Sequence, residues 1–225
     1  MDEERKFLGF TIGCDLGQAR DFTAIAVLER VKVTTETLAQ PGFEQPRYER
    51  QERGEQHLRH LQRLPLGTGY PEVVALLCTM MKAFPERPSR ADLVVDATGV
   101  GRPVVDMIRK AGLRPVAVTI TGGFDETSPS SNDWRVPKRN LVSSLAVLLQ
   151  SGRLKISPQL TEGDNLVREL LNFKVKVSAA GHDSYEAWRE SIHDDLVLAT
   201  AIAAWWADRA HTPMRQIPNT AMMQR

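Results

Sequence analysis

Phe10-Thr11-Ile12-Gly13-Cys14-Asp15-Leu16-Gly17 is the stretch on which the fold turns. In a strand, side chains alternate, so Ile12 and Cys14 share one face while Gly13 and Asp15 share the other. Glycines at 13 and 17 leave the carboxylate uncrowded. The next apolar run, Thr23-Ala24-Ile25-Ala26-Val27-Leu28, has the composition of a central strand. Together they read as strands over 8–16 and 22–33, joined by a turn at 17–21.

Working outward, the pattern changes. Residues 34–69 are polar and arginine-rich, with Pro41, Pro46, Gly54, Pro65 and Gly67. They read as a long excursion holding one more strand near 47–53 and a short helix near 55–62. A helix follows over 70–84, with Pro71 suited to its first turn. Beyond it come a buried strand at 93–96, a helix at 103–111 stopped by Gly112, and a strand at 115–120. Residues 122–133, rich in Ser, Thr, Gly and Pro, read as a loop. A helix at 138–150, an edge strand at 154–156 and a helix at 164–173 follow. Residues 174–178 and 185–187 read as a hairpin around Gly181, and 194–207 as the last helix. Strands first, then strands alternating with helices, give an α/β fold. Its sheet is mixed, antiparallel at the start and parallel later, flanked by helices. The expected organisation is one domain over 1–210 and a flexible tail over 211–225, where Pro213 and Pro218 stand among few apolar anchors.

Bulk composition excludes several classes. The chain has 225 residues, 42% hydrophobic and 25% charged, which suits one sizeable globular domain. A formal net charge of +1 gives no global attraction to nucleic acid or membrane, so any polyanion site is a local patch. No apolar run reaches the roughly 18 residues of a membrane span. The start, Met1-Asp2-Glu3-Glu4-Arg5-Lys6, lacks the apolar stretch of a secretory signal. Cys14 and Cys78 lie in apolar patterns and read as buried free thiols of a reducing compartment.

Three separated segments each deliver an acid to the edge of a core element. Asp15 ends the first strand. Asp96 ends Leu93-Val94-Val95 and leads into Ala97-Thr98-Gly99-Val100-Gly101, whose glycines serve a tight strand-to-helix turn better than phosphate binding. Ser191-Ile192-His193-Asp194-Asp195-Leu196-Val197-Leu198 opens an otherwise apolar helix with two carboxylates and a histidine. Each acid alone has a bland explanation as a turn or helix cap. Taken together they make the all-oxygen donor set that suits Mg²⁺ or Mn²⁺. Asp194 and Asp195 point about 100° apart, so one faces an ion while the other faces a second ion or caps the helix. His193 reads best as a capping-turn residue, with binding a metal or orienting a carboxylate as the alternatives.

These same residues carry a family resemblance. Gly13-Cys14-Asp15-Leu16-Gly17, followed by Asp21-Phe22-Thr23-Ala24, resembles the first nuclease motif of phage terminase large subunits. Val95-Asp96-Ala97-Thr98-Gly99-Val100-Gly101 resembles their second, and His193-Asp194-Asp195-Leu196-Val197-Leu198-Ala199 their third. Val136-Pro137-Lys138 opening a helix and Glu169-Leu170-Leu171-Asn172-Phe173 ending one match in the same order. The resemblance runs from about Leu8 to Trp206.

The resemblance implies a ribonuclease H-like fold close to RuvC-type resolvases, and a metal-dependent endodeoxyribonuclease that cuts concatemeric viral DNA during packaging. By motif, Asp15, Asp96 and Asp195 are its catalytic metal ligands, Asp194 a further ligand, and Asp21 a secondary acid. Two Mg²⁺ or Mn²⁺ ions, about 3.5–4 Å apart, would clamp the scissile phosphate. Arg135, Lys138 and Arg139, which flank a loop and open a helix, are the expected contacts to the DNA backbone. Double-stranded DNA is the implied substrate. The implied partners are a terminase ATPase domain, small subunit and portal, in a bacterial host cytoplasm and without a membrane. The sequence has no Gly-x-x-x-x-Gly-Lys-Ser/Thr motif, so it does not itself carry the packaging ATPase. The alternatives are a stand-alone RuvC-like nuclease or resolvase relative, and a non-catalytic packaging module of the same fold. ATPases of the actin and Hsp70 type share the core fold, but need a second glycine-rich phosphate loop that is not seen here.

Overall fold

The computed structural model describes residues 2–17, 21–40, 47–84, 91–99, 101–179 and 194–209, and every structural statement below concerns these. Alternating apolar residues build the sheet. Strand β1 (Asp2–Asp15) pairs antiparallel with β2 (Ala24–Gln40), which pairs antiparallel with β3 (Arg47–Arg63). On the other side of β1 the strands become parallel: β4 (Ala91–Asp96), then β5 (Val116–Thr121), then β7 (Asp133–Pro137). β6 (Thr127–Ser130) closes that edge antiparallel to β7, and the short β8 (Leu154–Ile156) closes the other edge beside β3. The order is β6-β7-β5-β4-β1-β2-β3-β8. This is the expected mixed sheet, antiparallel at the start and parallel later.

Helices cover both faces, and each face has its own core. Ile12, Cys14, Ile25, Val27, Leu93 and Val95 pack against α1 (Tyr70–Lys82) and α2 (Gly101–Lys110). Ala24, Ala26, Leu28 and Val94 pack on the opposite face beneath α3 (Lys138–Gln150), α4 (Gly163–Ala179) and α5 (Asp195–Arg209). Nearly every residue of α5 is buried, because the sheet lies below it and α3 and α4 flank it. None of the described helices is long and apolar enough to cross a membrane.

Four local readings need correction. Residues 55–62 are strand, not helix, and β2 and β3 form one long hairpin. The register steps from Val27 opposite His60 to Leu28 opposite Leu58, so Arg59 is the extra residue of a bulge. The bulge brings Leu58 and Leu61 into the same core, and their spacing of three imitates a helical stripe. Residues 122–133 are not wholly loop. They contain β6 and the start of β7. Wholly exposed, with Pro129 tolerated at the sheet's edge, β6 has no apolar pattern to reveal it. Residues 174–178 continue α4 rather than forming a hairpin. Cys78 is only half-buried, whereas Cys14 is buried. The partner strand at 185–187, residues 18–20 of the first turn, and the tail over 211–225 lie outside the described residues.

Candidate metal centre

One transverse row of the sheet builds the site. Asp15 lies opposite Ala24, and Ala24 lies opposite Arg63. The parallel register of β1 and β4 pairs Cys14 with Val95, which sets Asp96 beside Asp15 at the ends of neighbouring strands. The row faces α5. Gly13, two residues before Asp15, shows how closely: a Cβ there would stand 2.1 Å from the Ala199 carbonyl oxygen and 2.9 Å from the Ala203 Cβ. Only glycine lets the helix come down onto the strand and hold its first turn over the row. Gly101 does similar work behind Asp96, where a Cβ would lie 2.3 Å from the Asp96 carbonyl oxygen.

The electrostatics are those of an acid cluster. Asp15 is buried, and its pKa is raised well above the usual carboxylate range. Burial is the largest cause, followed by the charges of Asp96, Asp194 and Asp195. The Asp15 and Asp96 carboxyls also share a hydrogen bond, which pushes Asp15 further up and draws Asp96 down. Burial raises Asp96 as well, while Thr98 and the charge of Lys138 work against it. Asp96 Oδ1 accepts from the Thr98 hydroxyl at 2.5 Å and from the Thr98 backbone N–H at 2.8 Å. The same hydroxyl accepts the Ile120 N–H at 2.8 Å, tying the Asp96 turn to β5.

The start of α5 supplies the other two acids. Asp194 precedes the helix, and its carbonyl accepts the Leu198 N–H at 2.8 Å. Its carboxylate accepts from Lys138 Nζ at 2.9 Å. Asp195 is buried and takes both arms of Arg63: Nε donates to Oδ2 at 2.6 Å and Nη2 to Oδ1 at 3.0 Å. The Arg63 guanidinium also donates to Glu169 Oε1 and lies 5.1 Å from the centre of the Phe22 ring. Glu169 Oε2 accepts the Val197 N–H at 3.1 Å, capping the first turn of α5. Burial and the neighbouring Asp195 push Glu169 up to about 7, despite the opposing charge of Arg63.

Asp15, Asp96, Asp194 and Asp195 are therefore brought together, with Lys138 beside them. Asp21 is exposed at the turn ahead of β2 rather than buried with them. His193 lies outside the described residues. Arg139 is exposed; it donates to the Phe124 carbonyl at 2.9 Å and covers the Phe124 ring at 4.1 Å. Arg135 is exposed on β7, where Trp134 and Val136 take the α5 side and alternation turns Arg135 to the other face. Two members of the site, Arg63 and Glu169, carried no role in the sequence reading. Glu169 did open the matched segment Glu169-Leu170-Leu171-Asn172-Phe173, as a lone acid among apolar residues, but the match gave the acid no task.

The donor chemistry fits a divalent cation. The acids are hard oxygen donors, and their mutual repulsion is what a cation would relieve. As they stand, no three Asp, Glu, His or Cys side chains among the described residues are close enough to hold one ion. The reason is visible: Asp195 is taken by Arg63 and Asp194 by Lys138, which leaves the Asp15–Asp96 pair as the nucleus of a site.

No protein-family model matches the chain, and no curated protein matches it. Among solved structures, the chain is similar to one described as the human cytomegalovirus terminase nuclease domain. The two share 13% sequence identity with a TM-score of 0.45, over 90% of this chain and 86% of that chain.

Proposed function

We propose that this chain is a metal-dependent endonuclease that hydrolyses the phosphodiester backbone of double-stranded DNA, in the manner needed to cut concatemeric viral genomes during packaging. The observation that carries the reading is the Asp15 carboxyl, raised first by its burial and then by three further carboxylates delivered from two other elements. Such repulsion is a standing cost in the metal-free fold, and perturbed acids of this kind gather at functional sites. The ordered motif resemblance supports the same reading.

Asp15 and Asp96 would hold a Mg²⁺ or Mn²⁺ ion, with Asp195 and Asp194 completing the set from α5. A divalent cation there supplies Lewis acidity to the scissile phosphate and lowers the pKa of the attacking water. The chain's own residues do the rest. Thr98 fixes the orientation of Asp96 through two hydrogen bonds. Glu169 fixes the first turn of α5 and so the position of Asp195. Lys138, which now pairs with Asp194, would offer its ammonium to a phosphate oxygen, and Arg139 would meet the DNA backbone further out. Contacts of this kind position the duplex without reading its sequence. On this reading the wider partners are a terminase ATPase domain, small subunit and portal in a host cytoplasm.

A second reading has one observation in its favour: Arg63 and Lys138 already neutralise the α5 acids, as in a purely structural ion-pair cluster. Incubation with supercoiled plasmid separates the two. The nuclease nicks and linearises DNA with Mn²⁺, stops with excess EDTA, and is silenced by Asp96→Asn. Cleavage that survives EDTA, or its absence at all Mn²⁺ concentrations, defeats the proposal.

A further inference from the structure

Arg63 closes the row opened by Asp96 and Asp15, and its guanidinium is shared between two acids. Asp195 receives the two-pronged contact, while Glu169 receives one more bond from the same Nη2. Both acids are buried, and the Arg63 side chain is only 17% exposed. A guanidinium does not lose its proton in a protein, so it leaves an acid only by moving. Glu169 and the Phe22 face give it a place to stay when it does.

The ion pairs tell which carboxyls are open before Arg63 moves: Asp195 is held by Arg63 and Asp194 by Lys138. Asp15, Asp96, Asp194, Asp195 and Glu169 are five carboxyl groups, set against the two cations Arg63 and Lys138. A second ion drawing on Asp195 requires an oxygen that Arg63 now holds.

We propose that Arg63 is a built-in counter-ion for Asp195, so that a second divalent cation binds only by displacing the guanidinium onto Glu169. This rests on the nuclease reading and adds an order of loading to it. The Asp15–Asp96 pair takes the first ion independently of Arg63. Asp195 joins only when the second arrives, so the site is completed by cation concentration rather than preassembled.

The test is a Mn²⁺ titration of the purified chain without DNA, followed by electron paramagnetic resonance of free Mn²⁺. Wild type should show one tighter and one weaker site. Close buried charge pairs are coupled strongly enough that Arg63→Gln should tighten the weaker site by about tenfold or more, leaving the tighter one unchanged. Metal-free Arg63→Gln should also melt at a lower temperature than wild type and recover with Mn²⁺. Glu169→Gln should act in the opposite direction, weakening the second site because Arg63 loses its alternative partner. Should Arg63→Gln not fold without metal, Arg63→Lys keeps the charge and loses the fork, and should tighten the weaker site by a smaller factor. Two wild-type sites with the weaker unchanged or weakened in these Arg63 variants would show that Arg63 orients Asp195 for metal instead. No Mn²⁺ binding by wild type would overturn both this inference and the nuclease reading, whereas binding insensitive to Arg63 overturns this inference alone.

Discussion

Arg63 and Asp15 lie in one transverse row of the sheet with only Ala24 between them. Strands are about 4.8 Å apart, so the two backbones are about 10 Å apart. Ala24 puts only a methyl group between them, which leaves the space above it to the carboxyls and the start of α5. A fixed cation and a repelled acid thus face one small volume from opposite sides. The behaviour expected of the site follows from that opposition.

Asp15→Asn removes one of the mutually repelling acids. Because the folded pKa of Asp15 is raised, its carboxyl stabilises the fold at low pH and loses that contribution as pH rises through the raised value. In EDTA, Asp15→Asn should therefore melt above wild type at neutral and alkaline pH, with the advantage vanishing below the ordinary carboxylate range. Mn²⁺ should stabilise wild type and not the variant. Cleavage by Asp15→Asn or Asp96→Asn should fall by on the order of 10²-fold or more, the scale of losing one placed electrostatic group. Calorimetry with and without EDTA, and plasmid assays, read both effects.

Glu169 titrates in an accessible window. Its folded pKa of about 7 lies above the ordinary glutamate value of 4.5. The folded state therefore binds the extra proton, and the associated stability is present at acid pH and lost as pH rises through about 7. Denaturant midpoints in EDTA should fall between about pH 5 and pH 8. Glu169→Gln, which keeps an acceptor for the Val197 N–H, should flatten that slope. An unchanged slope would assign the pH dependence elsewhere.

The parts of this site that end strands were legible in the sequence, and the parts set by register were not. Asp15 and Asp96 follow apolar alternation, and the Asp194–Asp195 pair stands at the head of an apolar run. Local pattern alone placed them at the edges of core elements. Arg63 was hidden because the bulge at Arg59 gives Leu58 and Leu61 a helix-like spacing. With 55–62 read as helix, no strand carried Arg63 into line with Asp15. Glu169 sits in a helix that the sequence did show, yet its role depends on where α4 meets α5. The face on which Arg135 points required knowing that β7 exists at all.

Gly13→Ala tests the seating of α5. The added methyl would stand 2.1 Å from the Ala199 carbonyl oxygen, a backbone atom that cannot yield without moving the helix. Overpacking of this kind costs roughly 1–3 kcal/mol. Since α5 also carries Asp195, the variant should lose Mn²⁺-linked stabilisation along with its lowered denaturant midpoint. A lowered midpoint with full Mn²⁺ response would mean that the helix shifts without disturbing the acids.

Lys138→Ala and Arg139→Ala probe the approach of DNA. If each side chain meets a phosphate, each variant should weaken duplex binding similarly across sequences and reduce the salt slope by about 1. Binding measured at several salt concentrations with Ca²⁺ in place of the active metal reads this. An unchanged slope for Arg139→Ala would confine Arg139 to its contact with Phe124.

The most direct test of the central claim is the anomalous difference map of a crystal soaked in Mn²⁺. The carboxyls of Asp15 and Asp96 should both approach one manganese peak at about 2.1 Å, the distance of a small divalent ion from oxygen. At higher Mn²⁺ a second peak should draw Asp195 away from Arg63. A well-soaked crystal with no peak at this row, or with manganese bound only elsewhere, would contradict the claim that these acids hold the ion for DNA cleavage.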